Sequence, residues 1–514
     1  MQEMGNTFNG NGNGNGHGTH SLVRPLLKRM APTQTAGSLC TVKESLMAFQ
    51  TSGGVKLTGI PTYVTRHTAA FELYNPDAAL RLSEVLAPCE IIFQSRTIYS
   101  GSATLRTVVH VGSKIVCEAT LKEEDWVDLN LTLSPQKDDE VASEFNKFLM
   151  EWQKSYKVLP EFKEAVSDIK MFLIDLRLWL DQIELGIASS PELDRVQLER
   201  GIIEKLAPQI IPVINNLFGK FERIAAELNE ESSPAHRNYI QRNLHEIVLC
   251  APFANRTYHK PLGYPGDYEM VNMMARDSQE GNSLFAKIFN VWLLQQGSAM
   301  AHRNRLTELL RLIESEALRA SRKGSKARIF NFACGPAIEV QRFIENSLLS
   351  EQVEFTLSDF NNETLEHTSQ AINKIREQAG RRTSVQFQKK AVHQLFKESQ
   401  KQLASGNGGM RLYDFIYCAG LFDYLTDQAC KQLIKIFHQW LAPGGLLLVT
   451  NVTPLTPNRG SLELILDWHL IYRNAAQFAQ LCSGIIPKEM ISVRSDDTGV
   501  NIFLEARKLN DNGK

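Results

Sequence analysis

The chain has 514 residues, 43% of them hydrophobic, which is too long for one ordinary domain and supplies enough apolar material for two or three. Its 56 Lys and Arg against 57 Asp and Glu leave a formal net charge of −1, so no global field draws it to nucleic acid or to an anionic membrane. No apolar run is long enough to span a bilayer; the eight cysteines form no C-x-x-C pair and no tight His/Cys cluster, so neither a metal site nor a disulfide framework is expected, and a reducing cytoplasm fits.

Residues 1–39 pass from Met-Gln-Glu-Met into an Asn-Gly repeat ending at His17-Gly18. No apolar stretch follows a basic start, so this is read as a disordered tail, not a secretory signal or a His-bearing metal segment. Residues 40–135 carry β-branched and aromatic runs broken by turns: Ile91-Ile92-Phe93, Ile98–Gly101, Thr107–Gly112 and Ser113–Leu121. They predict a small β-barrel or sandwich. It resembles the PilZ barrel, which binds cyclic dinucleotides through paired arginines and a D/N-x-S-x-x-G element. The second element is missing, so the resemblance implies a degenerate barrel without nucleotide binding.

Residues 140–250 switch to helical periodicity. Phe145, Phe148, Leu149 and Trp152 make one stripe, and Ile169, Phe172, Leu173, Leu176 and Leu180 another. A third run, Ile202 to Leu228, is predicted to kink or break at Pro208 and Pro212. The stripes suit the core of a bundle, and also allow pairing of two chains as a homodimer.

Residues 251–326 form a lid or linker followed by helices through Phe285–Trp292 and Arg305–Leu310. The stretch Pro261-Leu262-Gly263-Tyr264-Pro265-Gly266-Asp267-Tyr268-Glu269-Met270 reads as a turn-rich connector. Two tyrosines and an aspartate packed so closely suit a lid or substrate wall better than a plain connector.

Residues 327–510 alternate strand and helix, the signature of an α/β doubly wound, Rossmann-like parallel sheet. Strands are predicted at 328–332, 353–357, 385–388, 413–418 and 446–451, with Leu441–Gly445 as the turn before the last of these. A hairpin at 490–506 closes the sheet. Asp467–Arg473 reads as an amphipathic helical segment with Trp468 and Tyr472 in register. Ile329–Val340 is a buried strand, a tight loop of small residues, and a helix start, a geometry that lets backbone N–H groups approach a ligand. Asp359 ends the next strand, about 20 residues on, where an acid can hold ribose hydroxyls. The loop holds one glycine and is not G-x-G-x-x-G, so the ligand carries a ribose without needing a pyrophosphate. That points to S-adenosylmethionine. Asp359 could alternatively cap the following helix.

The loop, Asp359, Tyr413-Asp414 and Leu441–Gly445 together resemble class I S-adenosylmethionine-dependent methyltransferases. The family usually has an acid at the position of Asn331 and glycines at those of Ala333 and Ala337. Gly263–Met270, Ala333–Ala337 and Asp467–Arg473 further resemble the bacterial extracellular-factor biosynthesis proteins, which make 3-hydroxypalmitic acid methyl ester, a quorum signal. The resemblance implies that Ala333, Cys334, Gly335 and Pro336 line the methionine part and that Asp359 holds the ribose. It places Phe360, Ala391 and Val392 beside the adenine, and Cys418, Ala419 and Gly420 beside the sulfonium. The acceptor would be a small molecule, most specifically a (3-hydroxy) fatty acid; another metabolite, a protein, or a regulatory role without turnover are the alternatives. No basic-aromatic stripe suggests a nucleic-acid partner. An ionised carboxylate needs no general base, only a positive or hydrogen-bonding clamp; an alcohol or amine would need a base. Tyr264, Asp267, Tyr268, His469 and Arg473 are the acceptor-side candidates, Arg473 as a bidentate clamp, with Asp423, Tyr424, Asn451 and Tyr472 nearby in the same reading.

Overall fold

The computed structural model describes residues 45–73, 80–93, 96–111, 114–127, 158–188, 191–229, 232–405 and 412–510. The Asn-Gly tract and the Phe145–Trp152 stripe lie outside them.

The first six strands are β1 (Ser45–Gln50), β2 (Lys56–Val64), β3 (Thr68–Leu73), β4 (Val85–Phe93), β5 (Arg96–Val111) and β6 (Lys114–Leu121). They close into an antiparallel barrel in the order β1-β2-β3-β6-β5-β4. Of the two forms open to this sequence, the barrel is the one adopted. Alternate residues point inward, as the pleat requires: Met47 and Phe49, Cys89 and Ile91, Ile115, Cys117 and Ala119 are all buried.

Long helices follow at Pro160–Ile187, Glu192–Ala226 and Ser233–Val248, then shorter ones at Pro252–His259, Tyr268–Ala275 and Leu284–Leu294. Their stripes meet in one core around Phe162, Leu173, Phe221, Phe285 and Trp292. The expected break at Pro208 and Pro212 does not occur: both lie inside the single Glu192–Ala226 helix. They sit on its exposed side, where water can take the carbonyls that lose their N–H partners.

The seven C-terminal strands are β7 (Ala327–Phe332), β8 (Val353–Asp359), β9 (Ser384–Lys389), β10 (Tyr413–Cys418), β11 (Leu441–Val452), β12 (Ile491–Ser495) and β13 (Asn501–Arg507). They form one sheet in the order β12-β13-β11-β10-β7-β8-β9. Strands β7 to β11 pair in parallel; β13 is antiparallel to β11, and β12 to β13. This is the doubly wound sheet with a terminal hairpin that the sequence pattern implies. The Leu441–Gly445 turn is drawn into β11, with a register shift opposite Asp414. One face packs under Gly297–Ser321 and Ile338–Asn346, burying Leu309, Ile313, Ile329 and Phe343; the other packs under Asp427–Trp440, burying Phe330, Leu433 and Phe437. Strand order reverses between β7 and β10. In such sheets the crevice beyond the carboxyl ends at that point is where ligands bind.

Among the described residues no helix is long and apolar enough to cross a membrane.

Candidate functional site at the sheet switch point

A cavity of about 1,050 Å³, counted out to its mouth, lies beyond the carboxyl ends of β7, β8 and β10. Its floor is the loop after β7. There Ala333, Gly335 and Ala337 all take left-handed backbone, with φ of 58°, 54° and 48°. For alanine this costs on the order of 1–3 kcal/mol. The loop is tied down by hydrogen bonds from Cys334 N to Ser358 O (3.0 Å) and Ala337 N to Cys334 O (3.1 Å), and the helix starts at Ile338. The space that a side chain on Gly335 would enter is empty within 4 Å.

Asp359 faces this floor. Its Oδ2 accepts from Gly335 N (3.2 Å) and its Oδ1 from Asn361 N (3.0 Å). Burial raises its pKa, and these N–H donors pull it back. It does not cap the next helix; Asn361 does, accepting from Thr364 N at 3.0 Å. Phe360 packs against Tyr264, with ring centres 5.1 Å apart, and the Arg81 guanidinium lies 4.1 Å over its ring.

The opposite wall is polar. Asn331, at the end of β7, donates to Glu339 Oε1 (3.2 Å), and Tyr417 OH donates to the same oxygen (2.7 Å). Burial raises the Glu339 pKa. The acid expected at position 331 is thus missing there, but a carboxylate from the first turn of the Ile338–Asn346 helix stands against it. Asp423 accepts from Val452 N (2.7 Å), and burial pushes its carboxyl up to about 6 despite the facing Arg305. His302 donates its Nδ1–H to Ser298 O (3.0 Å), and burial pushes its pKa down to about 3, so the ring is neutral. Tyr424 OH accepts from Trp468 Nε1 (2.9 Å) and donates to Pro265 O (3.4 Å), tying the segment at Pro265 to the β10 end.

Of the residues picked from sequence, Tyr264, Tyr268, Ala333, Cys334, Gly335, Pro336, Asp359, Phe360, Ala419, Gly420, Asp423 and Tyr424 line this cavity. Tyr268 sits at the rim, where its OH donates to Glu363 (2.8 Å) and its ring stacks on His367. Ala391, Val392 and Cys418 are buried in the sheet layers and do not reach the wall. Asp267 is also off the wall: it caps the Tyr268–Ala275 helix and holds Arg256 Nε at 2.9 and 3.0 Å. Asp467–Arg473 is not helical. Asp467 has φ 51°, and Ile471 N and Arg473 N turn outward to Asp423 O and Val452 O. His469 points to Asp467 Oδ1 (3.1 Å), with burial lowering its pKa, and its backbone exchanges bonds with Ser83 of the barrel. Arg473 is saturated by Asp427, Phe422 O, Leu425 O and Asn451, so the structure gives it the task of holding the 422–427 turn, not of clamping an acceptor.

Sequence reasoning missed Arg81, Leu82, His302, Arg305, Glu339 and Tyr417 on the wall. Arg305 and Glu339 left a signal, a charge set inside an apolar helical stripe. Arg81 left none, because the barrel brings it there. Among the described residues no group of three or more His, Cys, Asp or Glu could hold a metal ion.

No protein-family model matches the chain, and no curated protein does. Solved structures do. A possible exported protein from Bordetella parapertussis matches at 16% identity and TM-score 0.37, over 62% of this chain and 99% of its own. Magnesium protoporphyrin IX methyltransferase from Synechocystis PCC 6803, solved with S-adenosylhomocysteine bound, matches at 13% and 0.33, over 49% and 97%. The N-methyltransferase NodS from Bradyrhizobium japonicum WM9, also with S-adenosylhomocysteine, matches at 16% and 0.27, over 49% and 98%. Likeness at these scores says nothing of what this chain does, and the site's own geometry carries the reading.

Proposed function

We propose that the chain is an S-adenosylmethionine-dependent methyltransferase acting on a small molecule, most specifically the carboxylate of a long-chain or 3-hydroxy fatty acid, which it converts to the methyl ester. The observation that carries the cofactor is the pairing of the buried Asp359 carboxylate with the open, left-handed Gly335 loop at the switch point. The residues fit an adenosyl amino acid: Asp359 accepts from the ribose hydroxyls, Phe360 and Tyr264 flank the base, and Glu339 with Asn331 meets the amino group. S-adenosylmethionine supplies a methyl group on a sulfonium, and the protein has to align the acceptor with it and exclude water. Tyr264, Pro265 and Tyr268 cover the cavity, and Tyr424 pins that cover. Leu306, Leu309, Ile338, Val452 and Leu470 supply apolar wall for an acyl chain. The six-stranded barrel is a PilZ-like module without nucleotide binding, a reading supported by its missing recognition element.

Two measurements test this. Calorimetry with S-adenosylhomocysteine should show Asp359→Ala weakening binding by about 1.5–3 kcal/mol, the worth of hydrogen bonds to a charged group; unchanged affinity removes the assignment. Labelled S-adenosylmethionine with fatty acids should give esters at a rate rising with chain length, each buried CH₂ adding about 0.8 kcal/mol until the wall is filled. Label appearing on nitrogen or on protein, with no ester at any length, would leave a methyltransferase and discard the fatty acid.

A further inference from the structure

Three arginines are buried among the described residues: Arg237, Arg305 and Arg473. Arg237 donates to Thr120 and Asp467, and Arg473 makes five hydrogen bonds. Arg305 makes none, although only 7% of its surface is exposed. It projects from the Gly297–Ser321 helix into the cavity wall. Its guanidinium comes close to the bare backbone of Gly420: a Cβ there would stand 3.1 Å from Nη1 and 3.3 Å from Nη2. The facing groups are Asp423, Tyr424, Glu339 and Cys418, which act on it through space. Each of the two carboxylates spends one oxygen elsewhere, Asp423 Oδ1 on Val452 N and Glu339 Oε1 on Asn331 and Tyr417, and neither makes a hydrogen bond or a close ion pair with Arg305.

A guanidinium offers five N–H donors in a planar fork. None of its nitrogens is among the sealed, unpartnered polar atoms of the described residues, so the unbonded donors open onto the cavity, where a ligand can reach them. Nothing else in the described structure fills that role, and the fork matches a carboxylate in two parallel bonds. We propose that Arg305 clamps a ligand carboxylate at the end of β10. It takes the part that the sequence suggested for Arg473, which its own neighbours consume. Two carboxylates suit the place. One is the amino-acid end of the cofactor, with Glu339 and Asn331 placed for the neighbouring ammonium. The other is the acid acceptor. The first source rests on the proposed cofactor, and the second on the proposed acceptor.

The test compares the full-length chain with Arg305→Met and Arg305→Gln, both checked by thermal unfolding. Each is titrated with S-adenosylhomocysteine and with 5′-methylthioadenosine, the same nucleoside without the amino acid. Each is then titrated, with S-adenosylhomocysteine present, with hexadecanoate and with hexadecanol. The clamp predicts a loss of tenfold or more for one carboxylate ligand, with its uncharged analogue unchanged within twofold. Loss on S-adenosylhomocysteine assigns the cofactor end; loss on hexadecanoate assigns the acceptor. If both variants bind every probe as the wild type does, or lose charged and uncharged probes equally, the clamp is wrong. Asp359→Ala run in parallel separates the two ideas. S-adenosylhomocysteine binding that needs Asp359 but not Arg305 keeps the cofactor and removes the clamp on it. No binding to the wild type removes the cofactor and leaves the clamp to be decided by the hexadecanoate pair.

Discussion

Asp423 holds its proton further up the pH scale than an ordinary aspartate because burial outweighs the facing Arg305 and the N–H of Val452. The native chain therefore binds that proton more tightly than the unfolded chain between pH 3.8 and about 6. The stabilisation is complete below the lower value and is lost as pH rises through the upper one. Asp423→Asn keeps an acceptor for Val452 and removes the titration. Measured against this variant by urea unfolding, the wild type should lose a few kcal/mol of stability as pH rises across this window. Parallel curves would show that Asp423 ionises normally. At this scale the sequence was legible where the backbone decides: Asp359 ends a strand after a small-residue loop, and both facts are local. It was illegible where direction decides. Arg473 sits among aromatics in the sequence, yet five hydrogen bonds to four partners from residues 422–451 hold its head away from the cavity.

Strands and helices were legible because period-two and period-3.6 patterns persist over whole elements. Two elements escaped for physical reasons. The prolines of the Glu192–Ala226 helix face water, so the missing hydrogen bonds cost too little to break it. The 467–473 segment has a helical pattern of apolar residues, but Ser83, Asp423 and Val452 offer its backbone better partners than its own carbonyls. Ser83 is the key to that docking: its Oγ donates to His469 O (3.0 Å) and accepts from His469 N (2.5 Å), with all groups buried. Ser83→Ala leaves both backbone groups unpaired, a cost of roughly 1–3 kcal/mol each. The denaturation midpoint should fall accordingly; a shift within error would mean that water or a local rearrangement replaces the hydroxyl.

The whole molecule divides differently from its sequence. The alternation of strand and helix begins at Ala327, but the sheet is not covered from there. Leu309, Leu312, Ile313, Ala317 and Ala320 of the preceding helix lie on Ile329, Phe355 and Phe415. A fragment starting at Ala327 exposes that face, at about 1.5–3 kcal/mol for each large side chain uncovered. It should bind a hydrophobic dye and melt without a sharp transition. A fragment starting at Ser283 should recover the transition. A cooperative melt from the shorter piece would show that the sheet stands without its cover.

The same closure has a consequence for the order of synthesis. The barrel and the long helices leave the ribosome first, but the helical core is completed by Leu462, Leu464, Ile465 and Trp468. The turn at Ser83 receives its partner only with His469, and the cavity its wall only with Trp468 and Leu470. No nascent chain shorter than this has a finished site, so a bound ligand cannot rescue a truncated product by stabilising it. The apolar surface that these late residues cover stays open until they are made, and such surface on a partly made chain is prone to aggregate.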